Sequence, residues 1–231
     1  MVNRRQLVGD LEAFIQECFD AIENLNSYQK ISQNDARITF FKHLANVVDS
    51  TILFLVVAHK YLGDENWWKD TQKEYVLAAR PIPFDKEFDY YDQVVTISYF
   101  QLIFSVFESS VRLIVKTYDP PLYQSQRDFN PLCKRLLSDL GLSGKEDFID
   151  LISTIRNSIH NNGRFVPRGS TKTKRIKWNN ILFSFDEDKP IIISQLWSTF
   201  IPFSKEIFNI FSCVISSPEI MKRRYYPDPS E

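Results

Sequence analysis

The chain has 231 residues, of which 44% are hydrophobic and 25% charged, and its formal net charge is −1. This composition excludes wholesale disorder, and the near-neutral charge excludes a protein whose overall field draws it to nucleic acid or to a membrane. The three cysteines, Cys18, Cys133 and Cys213, lie far apart, which argues against a disulfide framework and a CxxC metal site.

Apolar residues recur at three- and four-residue steps along most of the chain, which predicts an all-α, up-and-down helical bundle. The second helix is apolar nearly all round between Val47 and Ala58, so it is predicted to lie in the middle of the bundle. The third helix is rich in β-branched and aromatic residues, but its length favours a helix over a strand. The predicted helices cover residues 7–25, 35–63, 89–118, 130–140, 145–162 and 195–217.

An insert at about 164–193 differs in character from the rest of the chain. Its first part, residues 164–180, is basic and predicted to be a loop. Two short apolar runs, 181–185 and 191–193, flank a polar turn, which predicts a small β-hairpin before the last helix.

The helical domain is predicted to span residues 1–217, and residues 218–231 form a polar tail that is expected to fray. The N-terminus leads directly into an amphipathic helix and lacks the apolar segment of a signal peptide. The longest apolar run, residues 52–58, is shorter than the roughly 20 residues that span a bilayer. These features predict a cytoplasmic protein with no membrane partner.

One segment concentrates the side chains that could perform chemistry: Arg156-Asn157-Ser158-Ile159-His160-Asn161-Asn162-Gly163. Arg156 and His160 are four residues apart, so a helix places them on one face, beside its apolar stripe. One interpretation is structural, because cationic side chains suit the last turn of a helix and Asn-Asn-Gly commonly ends one. The alternative is a functional pair at the boundary between core and solvent.

A basic stretch follows this segment directly, and no acidic residue occurs in it before Asp186. In a nearly neutral chain it forms a local cationic patch beside the Arg/His pair. It is either a solvated loop or a surface that contacts a phosphate backbone. The candidate RNA-binding residues are Arg164, Lys172, Lys174, Arg175 and Lys177.

Glu108 interrupts an apolar run in the third helix, where an unpaired carboxylate would be costly to bury. Two kinds of partner are open to it. Arg112 lies one turn later in the same helix. Arg156 or His160 could meet it across the bundle, in which case Glu108 would fix their geometry.

The segment 156–163, at the end of a late bundle helix, resembles the signature of the HEPN superfamily. Active members carry an Arg followed, after four to six residues, by a His, often with Asn directly after the Arg. The run Phe107-Glu108-Ser109-Ser110-Val111-Arg112 resembles the acidic position that many members keep in an upstream helix. Only three residues separate Arg156 from His160, one fewer than the usual minimum.

The resemblance implies RNA binding or metal-independent RNA cleavage of a bacterial defence or toxin type, without a cofactor. His160 would act as general base or acid on a 2′-hydroxyl or a leaving oxygen, and Arg156 would hold the scissile phosphate. Asn157 and Asn161 would orient these groups by hydrogen bonding. The resemblance also implies a homodimer that completes the site across a two-fold axis, and an antitoxin or other protein as a further partner.

The short spacing leaves a second interpretation, a catalytically inactive helical module for interaction or dimerisation. A third is a structural domain whose Arg/His pair caps its helix. His43 and His59 lack Cys, Asp or Glu at ligand spacing, so no metal site is predicted.

Overall fold

Helices make up 72% of the structure, which is a computed structural model. The described residues are 4–28, 31–61, 64, 66–67, 69–70, 84–167, 172–193 and 196–229. The predicted helix boundaries at Gly63 and Gln195 lie outside them. The prediction of a mostly helical chain with a small hairpin is confirmed.

The elements follow one another as a series of helices interrupted once by a hairpin. The helices are α1 (Arg4–Tyr28), α2 (Ala36–Tyr61), α3 (Phe84–Tyr118), α4 (Pro120–Ser125), α5 (Phe129–Asp139), α6 (Glu146–His160), α7 (Leu196–Ser216) and α8 (Pro218–Met221). The strands β1 (Thr173–Trp178) and β2 (Ile181–Asp186) pair antiparallel between α6 and α7.

The core is built where the apolar stripes of the helices meet. Helix α1 packs on α2, α2 on α3, α3 on α7, and α5 on α6. Aromatic pairs join the helices. The ring centroids of Phe40 and Phe211 lie 3.8 Å apart in a stacked pair, and those of Phe100 and Phe200 lie 4.6 Å apart. Stacked rings of this kind add to the area that they bury, and they fix α2 and α3 against α7.

The second half of α2 does not lie in the middle of the bundle, so that prediction was wrong. Leu53 is 63% exposed and Phe54 57% exposed, and Val94 on the neighbouring α3 is 64% exposed. Apolar side chains are not always buried. The sequence of a helix that is apolar all round therefore does not indicate how deeply the helix lies in the fold. Ala36–Ala58 and Asp89–Tyr118 are long and apolar enough to cross a membrane, but core helices of soluble proteins also meet this criterion of length and composition. The cytoplasmic location stays a prediction.

The hairpin lies one strand earlier in the chain than predicted. Asn179 and Asn180 form its turn with φ of 46° and 62°, the left-handed conformations that a two-residue hairpin turn requires and Asn tolerates. The first strand is therefore the basic run 173–178, which was predicted to be a loop. Residues 191–193 are not in a strand; Ile191 instead donates its backbone amide to Gly163.

The hairpin packs firmly on the bundle through its inner face. Ile176 and Phe185 are buried, and the Trp178 ring lies 4.9 Å from Phe203 and 5.3 Å from Phe148. The alternation of polar and apolar residues in β1 places Lys174 on the same face as Ile176 and Trp178.

Tyr226 and Asp228 of the C-terminal segment are buried and bond to α2, so the expectation of fraying was wrong. Tyr226 is fully buried, and its backbone oxygen accepts the amide of Ala36 at 2.8 Å. Arg37 is also fully buried; it donates twice to the Asp35 carboxylate, each at 2.8 Å, and to the carbonyls of residues 223 and 224. We call Asp35, Arg37 and residues 223–228 the C-terminal latch. Its partners lie far apart in sequence, so local polarity could not reveal it.

Candidate functional site

Helix α6 carries the Arg/His segment and ends within it. His160 is the last helical residue, and the backbone amide of Asn161 closes the helix by donating to two carbonyls of the last turn. Asn162 and Gly163 then adopt φ of 55° and 75°, a left-handed ending that reverses the chain. The chain leaves α6 towards the hairpin.

Arg156 lies at the edge of the core with its side chain 37% exposed. Its Nη1 donates to Asn157 Oδ1 at 3.2 Å, its Nη2 lies 3.8 Å from Glu108 Oε2, and its guanidinium carbon lies 5.8 Å from the centre of the Phe104 ring. Only the first of these is a hydrogen bond. Because a guanidinium has five N–H donors, most of them remain available to a ligand.

Glu108 contacts both of the arginines considered from the sequence. Its Oε1 accepts from Arg112 Nε at 3.0 Å and Nη2 at 2.7 Å, and its Oε2 faces Arg156. The same Arg112 Nη2 donates to the carbonyl of Arg127 at 2.9 Å. Glu108 therefore bonds closely to Arg112 and holds Arg156 more loosely.

His160 is exposed, and its imidazole makes no hydrogen bond to any described residue. The structural interpretation would have Arg156 or His160 bond to the free carbonyls at the end of α6. Within the described ranges neither side chain does so, and a backbone amide serves that purpose.

A small cavity of about 160 Å³ opens beside Arg156, between α3, the connection from α4 to α5, and α6. Three guanidinium groups and two carboxylates line it, so its charge is net positive. This charge suits an anion. The charged lining residues are Glu108, Arg112, Arg127, Asp128 and Arg156.

A large cavity of about 700 Å³ adjoins it along α6, against the chain that leads into the hairpin. His160, Asn161 and Lys174 line it, together with the apolar surface of residues 165–167. Arg156 and His160 therefore belong to neighbouring cavities. The residues that line both cavities are Asn130, Pro131, Ser153 and Asn157.

Asp150 lines the large cavity and contacts three polar side chains around it, and it was not predicted from the sequence. Its carboxylate accepts from Lys134 at 2.7 Å and from Asn130 at 2.8 Å, and Lys174 Nζ lies 3.8 Å away. Burial alone would raise the pKa of Asp150, but the hydrogen bonds from Lys134 and Asn130 and the charge of Lys174 outweigh it and lower that pKa. Asp150 is therefore ionised at neutral pH, and its carboxylate holds the side chains of Lys134 and Asn130 in place.

Ser153 is the second residue that was missed. Its hydroxyl is buried and has no hydrogen-bond partner in the described part of the chain. The other hydroxyls on this face of α6 each bond to a carbonyl one turn earlier: Thr154 at 2.6 Å and Ser158 at 2.9 Å. The corresponding carbonyl for Ser153, that of Ile149, accepts instead from Asn130 at 3.4 Å. A polar stripe at helical spacing, ending in the Arg/His pair, was the available signal for both missed residues.

The candidate RNA-binding residues do not form one patch. Lys174 projects inward, where its Nζ donates to Thr154 Oγ1 at 3.0 Å. Arg164 is exposed and donates to the carbonyl of Asp188 at 2.8 Å. Lys172, Arg175 and Lys177 are exposed. Lys174 thus belongs to the large cavity, and the others remain on the outer surface.

No cluster of three or more metal-ligating side chains occurs among the residues that the structure describes. The cysteines are free thiols: Cys18 and Cys133 are buried, and Cys213 is exposed. Burial raises the pKa of Cys18 to about 12 and also raises that of Cys133.

The geometry brings Arg156, Asn157, Glu108, His160 and Asn161 to one end of α6, around two adjoining cavities. Comparison of the chain with protein-family models, with curated proteins and with solved structures found no match.

Proposed function

We propose that this chain is a HEPN-like protein of a bacterial defence or toxin type that binds RNA and cuts it without a metal ion. The observation that supports the proposal is the pair Arg156 and His160, each at one of two adjoining cavities and each with donors not used by the fold. The resemblance of segment 156–163 supplies the reaction class, and the cationic lining of the small cavity suits a phosphodiester.

In the proposed reaction a ribose 2′-hydroxyl gives its proton to His160 and attacks the adjacent phosphorus. The bond from phosphorus to the 5′-oxygen of the next nucleotide breaks, and this oxygen takes a proton from solvent. The products are a 2′,3′-cyclic phosphate and a 5′-hydroxyl. Arg156 stabilises the charge on the phosphate oxygens, and Asn157 and Glu108 hold its guanidinium from two sides.

The proposal includes a homodimer. A second copy related by a two-fold axis would bring another His160 towards the same substrate, where it could protonate the leaving oxygen in place of solvent. An antitoxin or other protein partner would act by covering the cavities and excluding RNA.

The test is cleavage of an end-labelled RNA in EDTA by the purified chain. We expect His160→Ala to slow cleavage by roughly 10²- to 10⁴-fold, the usual contribution of a general base. Its thermal unfolding should match that of the wild type, because the imidazole is exposed. Arg135→Gln serves as a control: this arginine pairs with Asp139 on α5 and lines neither cavity.

Two results would contradict the proposal. One is RNA that stays intact with wild-type protein across a range of sequences and structures. The other is cleavage that His160→Ala does not slow, which would indicate a contaminating nuclease or another site.

The second candidate is an inactive interaction module, and the exposed apolar side chains of α2 and α3 favour it. Leu53, Phe54 and Val94 are each more than half exposed, and exposed apolar patches often mark protein contacts. On this hypothesis the protein self-associates or captures a partner, Leu53→Asp abolishes that association, and RNA stays uncut.

A further inference from the structure

The two cavities meet at a buried group that lacks a partner. Ser153 is 7% exposed and lines both cavities, and its hydroxyl bonds to no described residue. Buried hydroxyls are nearly always hydrogen-bonded, and leaving one without a partner destabilises the fold. A ligand atom placed where the cavities join would supply the missing partner.

The cavities differ in size and lining. The small one is cationic and about 160 Å³. The large one, about 700 Å³, combines the apolar surface of Phe165, Val166 and Pro167 with the amides of Asn157 and Asn161. Its volume is in the range of small-molecule sites, which join apolar walls to a few oriented polar groups. One side thus suits a phosphate and the other a flat heterocycle with hydrogen-bonding edges.

We infer that the two cavities together bind one ribonucleotide, with the nucleoside in the large cavity and its 3′-phosphate in the small one. The inference rests on the proposed function, because the reaction fixes the orientation. A general base must lie within hydrogen-bond reach of the proton that it takes. His160 lines the large cavity, so the ribose carrying the attacking 2′-hydroxyl belongs there, and the 3′-phosphate that it attacks faces Arg156.

The large cavity is formed in advance by packing of the hairpin. Lys174 Nζ bonds to Thr154 Oγ1 at 3.0 Å and lies 3.8 Å from Asp150, which joins β1 to α6. Phe165 packs on Phe185 at 5.8 Å, and the Phe165 amide donates to the carbonyl of Lys189. Because these contacts already fix the cavity wall, binding a small ligand costs little conformational entropy, and this favours affinity.

The experiment measures binding of small probes by calorimetry in EDTA. The probes are the four ribonucleoside 3′-monophosphates, the matching 5′-monophosphates, the free nucleosides and inorganic phosphate. We expect at least one 3′-monophosphate to bind roughly tenfold or more tightly than its 5′-isomer, its nucleoside or phosphate, because only it engages both cavities.

Three variants test the two cavities and their junction. Val166→Trp fills the large cavity from a side chain that is 51% exposed, and we expect it to weaken 3′-monophosphate binding at least tenfold. Arg127→Gln in the small cavity should weaken it by roughly threefold to tenfold, and Ser153→Ala by about fivefold.

Each variant has a matched control that should leave binding unchanged. Ile192→Trp adds the same bulk at a side chain that is 89% exposed and lines neither cavity. Arg135→Gln removes a charge elsewhere, and Ser204→Ala removes a buried hydroxyl that bonds to the carbonyl of Phe200 on α7.

The outcomes separate this inference from the proposed function. Tight 3′-monophosphate binding that Val166→Trp abolishes supports the nucleotide site, even if RNA is never cut. RNA cleavage that Val166→Trp does not slow overturns the nucleotide site and leaves the ribonuclease standing. Failure of every nucleotide to bind at millimolar concentration, or equal binding of 3′- and 5′-isomers, also overturns it.

Discussion

Arg37 and Arg156 are both paired with carboxylates, but their surroundings differ. Arg37 is fully buried against Asp35, and its hydrogen bonds go to that carboxylate and to backbone carbonyls of the C-terminal latch. Arg156 is 37% exposed, lies 3.8 Å from Glu108 and makes one hydrogen bond, to its neighbour Asn157. An arginine whose three side-chain nitrogens all bond within the chain acts in stability. One whose donors face a cavity can act on a ligand.

The largest expected effect is on the free energy of unfolding when the buried Arg37 is replaced. Arg37→Met leaves the Asp35 carboxylate buried without its partner, so we expect the free energy of unfolding to fall by about 3–5 kcal/mol, measured by urea denaturation. The double variant Asp35→Asn, Arg37→Met removes both charges and should lose less. A loss below about 1 kcal/mol in the single variant would mean that the latch does not hold the C-terminal segment.

The same substitution at Arg156 tests the partly exposed arginine. We expect Arg156→Met to change the free energy of unfolding by less than about 1 kcal/mol, because the pair with Glu108 is partly exposed and long. RNA cleavage should nevertheless slow by roughly 10²- to 10³-fold, as on removal of a donor that stabilises transition-state charge. Unfolding curves and cleavage rates of the same preparation check both parts. A variant that is destabilised as strongly as Arg37→Met would place Arg156 with the structural arginines.

A smaller effect concerns Asp150, whose pKa is lowered in the folded protein. A carboxyl with a lowered pKa stabilises the fold above its unfolded-state pKa, and this contribution disappears as pH falls through its folded-state pKa. We therefore expect Asp150→Asn to reduce the free energy of unfolding by about 1.5 kcal/mol at pH 7. The difference from the wild type should shrink towards zero as pH falls through this lowered folded-state pKa.

Urea titrations at several pH values measure this difference. Asp139→Asn breaks the more exposed pair with Arg135 and is the matched control. Its free energy of unfolding should differ less from that of the wild type and should depend less on pH. A gap between wild type and Asp150→Asn that persists unchanged in acid would show that the charge of Asp150 is not its cause.

The smallest expected effect is at the hairpin turn, which supports the wall of the large cavity. Asn180 has φ of 62°, a conformation that costs a residue with a Cβ roughly 1–2 kcal/mol unless, like Asn, it bonds locally. Asn180→Ala should therefore lower the free energy of unfolding by about 1 kcal/mol, whereas Asn180→Gly should be neutral or slightly stabilising. Thermal denaturation compares the two. Equal behaviour of Ala and Gly would show that the turn conformation contributes little.

The sequence predicted the longer helices because their apolar repeats are long, but it missed the short helices α4 and α8. Helix α6 was predicted from 145 to 162 and runs from Glu146 to His160, since Gly163 marks its end. The hairpin was misplaced because basic residues in β1 masked an alternating pattern. The Asn179-Asn180 pair was the overlooked turn signal.

The candidate site could be predicted only in part. Arg156 and His160 are neighbours on one helix, so their common face follows from spacing alone. The partners of Glu108 were reduced to two alternatives, and the structure shows contacts to both Arg112 and Arg156. Asp150 and Ser153 were missed because their roles depend on α5 and β1, which approach α6 only in the folded chain.

The exposure of Cys213 gives this chain a chemical handle that needs no engineering. Cys18 and Cys133 are shielded in the core, and the raised pKa of each keeps its thiol protonated. A maleimide dye or a nitroxide spin label should therefore attach to α7 alone. In a two-fold assembly each dimer would carry two such labels, one per copy, and the distance between them from pulsed electron paramagnetic resonance would report how the copies are arranged.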